Sequence, residues 1–489
     1  MGSQTSNSSS LKESKSLDLS EKKLNSFSHN YNTISTDYSS EISTTCDSRL
    51  KDHDIGSNEE EEEICIFDAL KKIIILSIPA FLGVLLRRVT DTVNYMAIGR
   101  LGDNSQINGG WFALTSVNFV PVAMTVGLAG GIETLSSQAF GSGNNYLGGS
   151  QYHRGFIVTN IMLAIVSILF WNIESFLILI DQPEESAAYT AKFLRVYLPG
   201  MFAISNVELI RRFLSVQGIY SLILIMQIIA FFFHLIMLYC FTIFMKFGVY
   251  GVAYAANLSS SFLFGLIVCY ITFSKNTVRE NSWHWFNQNS FKGIFEYLKY
   301  ALPSLVMLMA EDLCFELLVL LSGYLGTIQQ NAYVLILSIC ATIFMISLGI
   351  SITASNLVGN ALGANQPRKA ILYARVILYY SIALAGVISI LLYVYRYEIA
   401  SAYTSNEEIK SLAAQTLPLV CLFMIPDFIQ GSSSGIIKAM GYQKFGAYSS
   451  LICYWVLGVP ASLGTAFYLN LGAAGMRLGL YIAIFFSAI

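Results

Sequence analysis

From about residue 68 to its end, the chain alternates long apolar stretches with short polar breaks. A helix needs about 20 apolar residues to cross a bilayer core. The pattern predicts twelve such spans, at 68–100, 109–140, 155–180, 187–213, 218–246, 249–274, 294–324, 329–358, 369–396, 408–437, 446–469 and 471–489. Several exceed the minimum, which predicts tilt or extension beyond the bilayer. The runs are too long and too continuously apolar for membrane strands. Residues 1–65 differ. They are rich in Ser, Asn and Thr, end in the acidic run Glu59–Glu63, and show no apolar period. That composition predicts a disordered cytoplasmic tail. No apolar h-region follows the start, so no cleavable signal peptide is expected.

The two halves of the apolar region resemble each other. Pro79 precedes Gly99 by twenty residues, and Leu101–Gly102 follow; Pro303 precedes Gly323 by twenty, and Leu325–Gly326 follow. Gly127, Ala139 and Gly141 match Gly349, Ala361 and Gly363 at an offset of 222. Leu198–Pro199 with Glu208 matches Leu417–Pro418 with Asp427 at 219, and Gly248 and Gly251 match Gly472 and Gly475 at 224. Six spans per repeat is an even number, so both halves enter the membrane in the same direction. The expected fold class is an all-α polytopic membrane protein with 12 transmembrane helices in two pseudo-symmetric six-helix bundles. The expected lobes are 66–274 and 294–489, joined by a cytoplasmic linker at 275–293. Two like bundles enclose a cleft and reach alternating access by rocking, the architecture of a secondary transporter.

Charge fits this picture. Of 29 basic and 31 acidic residues, 22 lie in the first 72 positions. Charged residues are 12% of the chain, against roughly 25% in a soluble domain. With the N-terminus in the cytoplasm, Arg154, Arg211, Arg212, Lys275, Arg279, Lys292, Arg368, Lys369, Arg375, Lys438 and Lys444 fall on the cytoplasmic side, against Arg100, Lys192, Arg195, Lys246, Arg396, Lys410 and Arg477 on the other, a modest positive-inside bias. No basic block suits nucleic acid. The eight cysteines show no CxxC and no metal-ligand spacing, so neither a disulfide scaffold nor a metal site is expected. The chain has no P-loop, no HExxH and no nucleophile elbow, so it is not read as an enzyme. The expected location is multi-pass in the plasma membrane or a vacuolar or other endomembrane.

Ionisable side chains inside the bilayer cost about 2.5–3.5 kcal/mol each on the insertion scale and mark function. Those retained are Glu311, Asp312 and Glu316 in the seventh span, Glu208 in the fourth, Asp427 in the tenth, Arg87, Arg88 and Asp91 in the first, and His234 in the fifth. A carboxyl beside a second acid in low dielectric favours its neutral form, yet attracts an organic cation once ionised. Asp312 and Glu316 share a helix face, whereas Glu311 points away from Glu316. Glu208 has Arg211 and Arg212 three and four residues on, the spacing of ion pairs along one face. Arg87 and Arg88 likewise precede Asp91 by four and three residues, so an internal pair is expected there. His234 reads as a satisfied structural group.

The motifs of this chain resemble those of the MATE (multidrug and toxin extrusion) family, eukaryotic type. They are GIETLSSQAFGSGN at 131–144, ELIRRFLSVQGI at 208–219, the seventh span from Pro303 to Gly323 with Glu311 and Glu316, SNLVGNALGAN at 355–365, and the stretch from Asp427 through Gln443 to Tyr454, Gly458 and Pro460. Asn94 stands where bacterial members often carry Asp, with Asp91 one turn earlier. The resemblance implies a secondary active antiporter that exports organic cations, xenobiotics or related metabolites in exchange for protons or sodium, acting as a monomer and needing no cofactor beyond the coupling ion. It assigns proton and substrate binding to Glu311 and Asp427, with Glu316 and Glu208 as further candidates and Arg87, Asp91 and Asn94 as a candidate charge site in the N-terminal lobe. The alternatives are a lipid-linked sugar flippase of related architecture, which needs a cleft rich in Arg and Lys, and an uncoupled channel or membrane scaffold.

Overall fold

A computed structural model describes residues 66–101, 103–274, 277–404 and 406–488, apart from the side chain of Asn289. The expected tail at 1–65 lies outside the described residues, as do the linker positions 275 and 276.

The long helices are α1 (Ile66–Leu101), α2 (Asn104–Gly141), α3 (Asn145–Trp171), α4 (Glu184–Ser215), α5 (Ser221–Phe244), α6 (Val249–Phe273), α7 (Ile294–Ser322), α8 (Thr327–Gly363), α9 (Pro367–Val394), α10 (Glu407–Met440), α11 (Gln443–Tyr468) and α12 (Gly472–Ala488). Ten of them are long and apolar enough to cross a membrane. α7 is set apart by its charges, Glu296, Lys299, Glu311, Asp312 and Glu316, and α12 by its 17 residues. Side-chain caps start several helices: Asp103 accepts from the Gln106 amide at 2.9 Å, and Asn406 from the Glu408 amide at 3.0 Å. Proline lies inside many of them, including Pro79, Pro199, Pro303, Pro418 and Pro426. Around Pro121 the turn widens to π geometry over Asn118–Val122. Packed neighbours make such breaks tolerable where no water is present.

Most boundaries fall within four residues of the expected ones. α3 does not. The apolar run predicts 155–180, but the helix begins at Asn145 and stops at Trp171, followed by a short helix at Ile173–Leu179. Asn144 caps it by accepting from the Leu147 amide at 3.0 Å. Its first three turns are polar because they pack on the segment before α7: His153 Nδ1 lies 3.0 Å from Ser290 Oγ, and the Tyr146 ring stacks on His284. Hydropathy misses a helical start that faces protein instead of lipid.

The sequence repeat appears as reciprocal contacts between the halves. A Cβ on Gly127 would lie 2.7 Å from Leu305 Cα, and one on Gly349 would lie 2.8 Å from Phe81 Cα. A Cβ on Gly141 would meet the Asn360 carbonyl at 2.1 Å, and one on Gly363 the Gln138 carbonyl at 2.1 Å. Backbones approach closely where the side chain is a hydrogen, the general device of membrane helix packing. The entry ends of α1 and α7 are exchanged. Ala69 and Ile73 of α1 join the core of the C-terminal helices, and Tyr297, Ala301 and Leu305 of α7 join the core of the N-terminal ones. Large apolar side chains such as Ile161, Ile165, Ile168 and Leu169 of α3 face outward, where a bilayer would cover them.

Gly363→Ala places a methyl against backbone and should destabilise the protein by about 1–3 kcal/mol. Gly386→Ala, in α9, meets nothing within 4 Å and should leave stability unchanged or slightly raised. Thermal unfolding of the two variants in detergent checks this contrast; equal melting temperatures would refute the close approach.

Candidate functional site

The N-terminal half holds a cavity of about 80 Å³ whose wall includes Arg87, Asp91 and Asn94 of α1, Glu208 of α4, His234 of α5 and Ser259 of α6. Asn94 and His234 are buried. His234 Nε2 lies 2.9 Å from Asn94 Oδ1, and Nδ1 lies 3.0 Å from Ser259 Oγ. His234 is thus satisfied at both ring nitrogens, as its apolar setting requires, and Asn94 is bound to it.

The expected internal pair of Arg87 and Arg88 with Asp91 is not formed. Arg88 is exposed. Arg87 reaches across the cavity instead, its Nη1 3.7 Å from Glu208 Oε2 and its Nη2 3.5 Å from Asn118 Oδ1. Four-residue spacing along a helix permits a pair, but an opposing helix offers Arg87 the buried carboxylate of Glu208. Among the described residues Asp91 forms no ion pair within 4.0 Å.

Glu208 is 2% exposed. It accepts from Arg211 Nε at 3.0 Å and Nη2 at 2.5 Å, and from Arg212 Nε at 2.9 Å. The expected pairing along α4 is therefore present. Arg212 also donates through Nη1 to Glu133 of α2, and the other oxygen of Glu133 lies 3.5 Å from Lys438 Nζ of α10. Glu133 is 3% exposed. A continuous ionic chain thus runs Arg87, Glu208, Arg212, Glu133, Lys438, and its last link joins the two halves. Burial of isolated charges is prohibitive, and each member here is retained because its neighbour compensates it. Sequence reasoning missed Glu133. The signal was an acid inside the apolar run of α2, but its partners lie on α4 and α10.

Neutral contacts close the same seam. Thr134 Oγ1 lies 2.6 Å from the Lys438 carbonyl, Gln443 Nε2 donates to Thr134, and Gln138 Nε2 donates to the Ala439 carbonyl at 2.9 Å. Arg279 spans it with Nη1 on the Phe140 carbonyl at 2.7 Å and Nη2 on Asn360 Oδ1 at 3.2 Å.

The second charged group lies on α7, α10 and α12. Glu311 is 9% exposed and accepts from Gln430 Nε2 at 3.2 Å. Asp427, one turn before Gln430 on α10, is half-buried and within electrostatic range of Glu311. The Tyr454 hydroxyl sits beside Glu311 without a hydrogen-bond partner. Trp455 Nε1 donates to the Ala310 carbonyl at 2.9 Å and holds α11 against α7 at this level. Asp312, next to Glu311 on α7, is half-buried and Glu316 is exposed; neither is hydrogen-bonded to Glu311 among the described residues. The structure therefore sets Asp427 one turn from the Gln430 that binds Glu311, groups Arg87, Asp91, Asn94 and Glu208 around the first cavity, and leaves Glu316 exposed.

The sequence pattern of the MatE family matches this chain twice, over residues 79–240 and 303–463. Protein DETOXIFICATION 17 of Arabidopsis thaliana is 30% identical over 423 residues, 86% of this chain and 88% of that protein. Multidrug and toxin extrusion protein 1 of Xenopus tropicalis is 28% identical over 415 residues, 85% and 72% of the respective chains. In fold, the eukaryotic MATE transporter AtDTX14 superposes with a TM-score of 0.80 at 23% identity, covering 86% of this chain and 94% of that one. With an apolar helical architecture, a duplicated pattern and these relatives in agreement, the chain belongs to the MatE family of multidrug and toxin extrusion transporters, as a multi-pass integral membrane protein.

Proposed function

We propose that this chain is a secondary active antiporter that expels organic cations in exchange for protons by alternating access. In this reading α1 to α12 are twelve spans in two six-helix bundles, 66–274 and 294–489, with 275–293 as the linker. The double family match and the reciprocal glycine contacts support the two-fold arrangement. The seam of Glu133, Lys438, Arg279 and Asn360 lies at the end that charge bias assigns to the cytoplasm. The state described is then closed at its inward end.

The observation that carries the reading is the contrast between two sets of acids within the helices. Glu133 and Glu208 are saturated with resident cations. Glu311 and Asp427 have no ion pair within 4.0 Å among the described residues, and Glu311 holds only a neutral amide. A carboxyl without a resident cation in low dielectric has two good states, protonated or paired with a cation that arrives from outside. Exchange of those states on opposite sides of the membrane is cation–proton antiport. The relatives whose names speak of detoxification and toxin extrusion supply the cargo class. The flippase alternative needs free basic groups for phosphate, and Arg87 is committed to Glu208 and Asn118.

The test uses the full chain in proteoliposomes with ethidium as probe. Ethidium movement should follow an imposed pH gradient and collapse with a protonophore. Glu311→Gln keeps the shape and the Gln430 contact geometry but removes the exchangeable proton, so coupled transport should fall to the protein-free background at normal expression. Normal coupled transport by that variant overturns the assignment, and transport that follows sodium but not pH replaces the proton with sodium.

The closed seam makes a separate prediction. Lys438→Met leaves Glu133 with one cation, and breaking one side of a buried ion pair costs about 3–5 kcal/mol. The seam should therefore open more often. Backbone amides of 133–141 and 356–363 should exchange hydrogen faster than in the parent while those of α9 do not; uniform exchange across the variants would remove Lys438 from the closure.

A further inference from the structure

Arg154, in α3, is a buried cation outside both charged groups above. It is 8% exposed, and its Nε is buried without a hydrogen-bond partner. Among the described residues its guanidinium makes no hydrogen bond and no ion pair within 4.0 Å. It lies over Gly293, the residue that opens α7. A Cβ built on Gly293 would come within 2.8 Å of Arg154 Cζ, 2.9 Å of Nη2 and 3.1 Å of Nη1. Gly293 has φ +82°, a left-handed backbone that suits glycine, and no side chain caps the helix it starts. The amides of Ile294, Phe295 and Glu296 precede the first bond of the helix, from the Tyr297 amide to the Gly293 carbonyl at 3.0 Å.

Positive potential converges at this point. A helix of 29 residues carries the equivalent of about half a positive charge at its N-terminus. Arg154 stands over that end, and Lys292, exposed, directly precedes Gly293. The facing acid is Glu296, half-buried in the first turn of α7, within electrostatic range of Arg154 but not bonded to it. One carboxylate against two cations and a helix end leaves the locus positive. A buried guanidinium without a bonded anion is costly, and free helix amides beside it complete the donor set for one.

The surroundings point to the source of the anion. Phe291 is 60% exposed and Phe295 is 84% exposed, one on each side of Gly293 in the chain. Phe295, Leu302 and Val306 lie along one face of α7, and all three are exposed. Lys299, also exposed, shares that face one turn beyond Phe295. A lysine within an apolar, lipid-facing stripe has to snorkel to the level of the headgroups. The end concerned is the one that charge bias assigns to the cytoplasm, where anionic lipids gather.

We propose that the start of α7 binds the phosphate of an anionic phospholipid of the cytoplasmic leaflet. The phosphate oxygens accept from Arg154 Nη1 and Nη2 and from the free amides of Ile294 and Phe295. Lys292 and Lys299 close over them, and the acyl chains lie along Phe295, Leu302 and Val306. The lipid then completes the joint between α3 of the first half and α7, the first helix of the second. This inference rests on α7 entering the bilayer here, as in the arrangement proposed above, and not on what the acids exchange.

The experiment is thermal unfolding of the full chain in phosphate-free detergent buffer, titrated with phosphatidylserine, phosphatidylcholine or inorganic phosphate. Phosphatidylserine should raise the melting temperature saturably, and the other two should leave it in place. Equal stabilisation by inorganic phosphate overturns the lipid as occupant, and no stabilisation by phosphatidylserine overturns the site. Arg154→Gln removes charged hydrogen bonds and should raise the half-saturating lipid concentration about tenfold or more. Lys292→Glu, at an exposed position, should do the same and covers the case in which Arg154→Gln does not fold. Unchanged half-saturation in the folded variants puts the lipid elsewhere and overturns the proposal. The entry of α7 is read separately in Phe295→Trp, whose added tryptophan should be quenched by brominated phosphatidylcholine in proteoliposomes. Without quenching, that entry falls and this site with it. With quenching but no effect of phosphatidylserine, the site alone falls.

Discussion

Glu133 is the carboxylate on which the closed form of the molecule turns. One oxygen is taken by Arg212 from its own half and the other faces Lys438 of the opposite half. In water such a bridge is worth little. Here all three groups are buried, and their charges are tolerable only together. Any separation of the halves at this end would have to re-solvate Glu133 and Lys438. The neutral contacts around it, from Thr134, Gln138 and Gln443, have the same character. Each joins a side chain of α2 to α10 or to the start of α11, and water can replace each partner.

Duplication gave the two halves the same frame and the same close-packed glycines, yet their acids stand in opposite conditions. At 208 the acid is surrounded by Arg87, Arg211 and Arg212 and serves the scaffold. At 427 the adjacent positions are a neutral amide and a glycine, and the amide of Gln430 turns to Glu311. The substitution of Arg by Gln at one repeat position therefore has two consequences. It releases Asp427 from a fixed counter-ion, and it provides Glu311 with a donor that stabilises the carboxylate without neutralising it. The first half holds the locked acid and a polar cavity, in which Asp91 forms no ion pair within 4.0 Å among the described residues; in the second half Glu311 and Asp427 form none either.

Much of this was legible in the amino-acid sequence, and the limits have physical causes. Span positions follow from hydropathy because lipid selects composition directly. The largest exception, α3, starts in polar residues that face the segment before α7, so lipid imposes no pattern there. Pairing of Glu208 with Arg211 and Arg212 was legible because helical geometry alone brings i+3 and i+4 together. The partners of Arg87, Glu133 and His234 were not, because each lies on another helix, and periodicity tells which way a side chain faces without telling what it meets. Arg87 illustrates the difference: local spacing favoured Asp91, and the opposing α4 offered a buried carboxylate that needed the charge more. The family motifs drew attention to Glu311 and Asp427, but that neither forms an ion pair within 4.0 Å among the described residues required the packed structure.

A final constraint joins the locked and the exchanging groups. Lys438, which binds Glu133 across the seam, lies on α10 eleven residues beyond Asp427 and eight beyond Gln430, the donor to Glu311. At 1.5 Å per residue these positions are about 16 and 12 Å apart along one continuous helix. Pro426 lies just before Asp427 and removes a backbone hydrogen bond there. The helix therefore lacks one of its own backbone bonds beside Asp427, and the segment beyond it runs without a further proline to the seam. Under the proposed exchange of partners at Glu311 and Asp427, α10 is the element that meets both those acids and the Glu133 bridge, so a change at one end would be transmitted through it to the other.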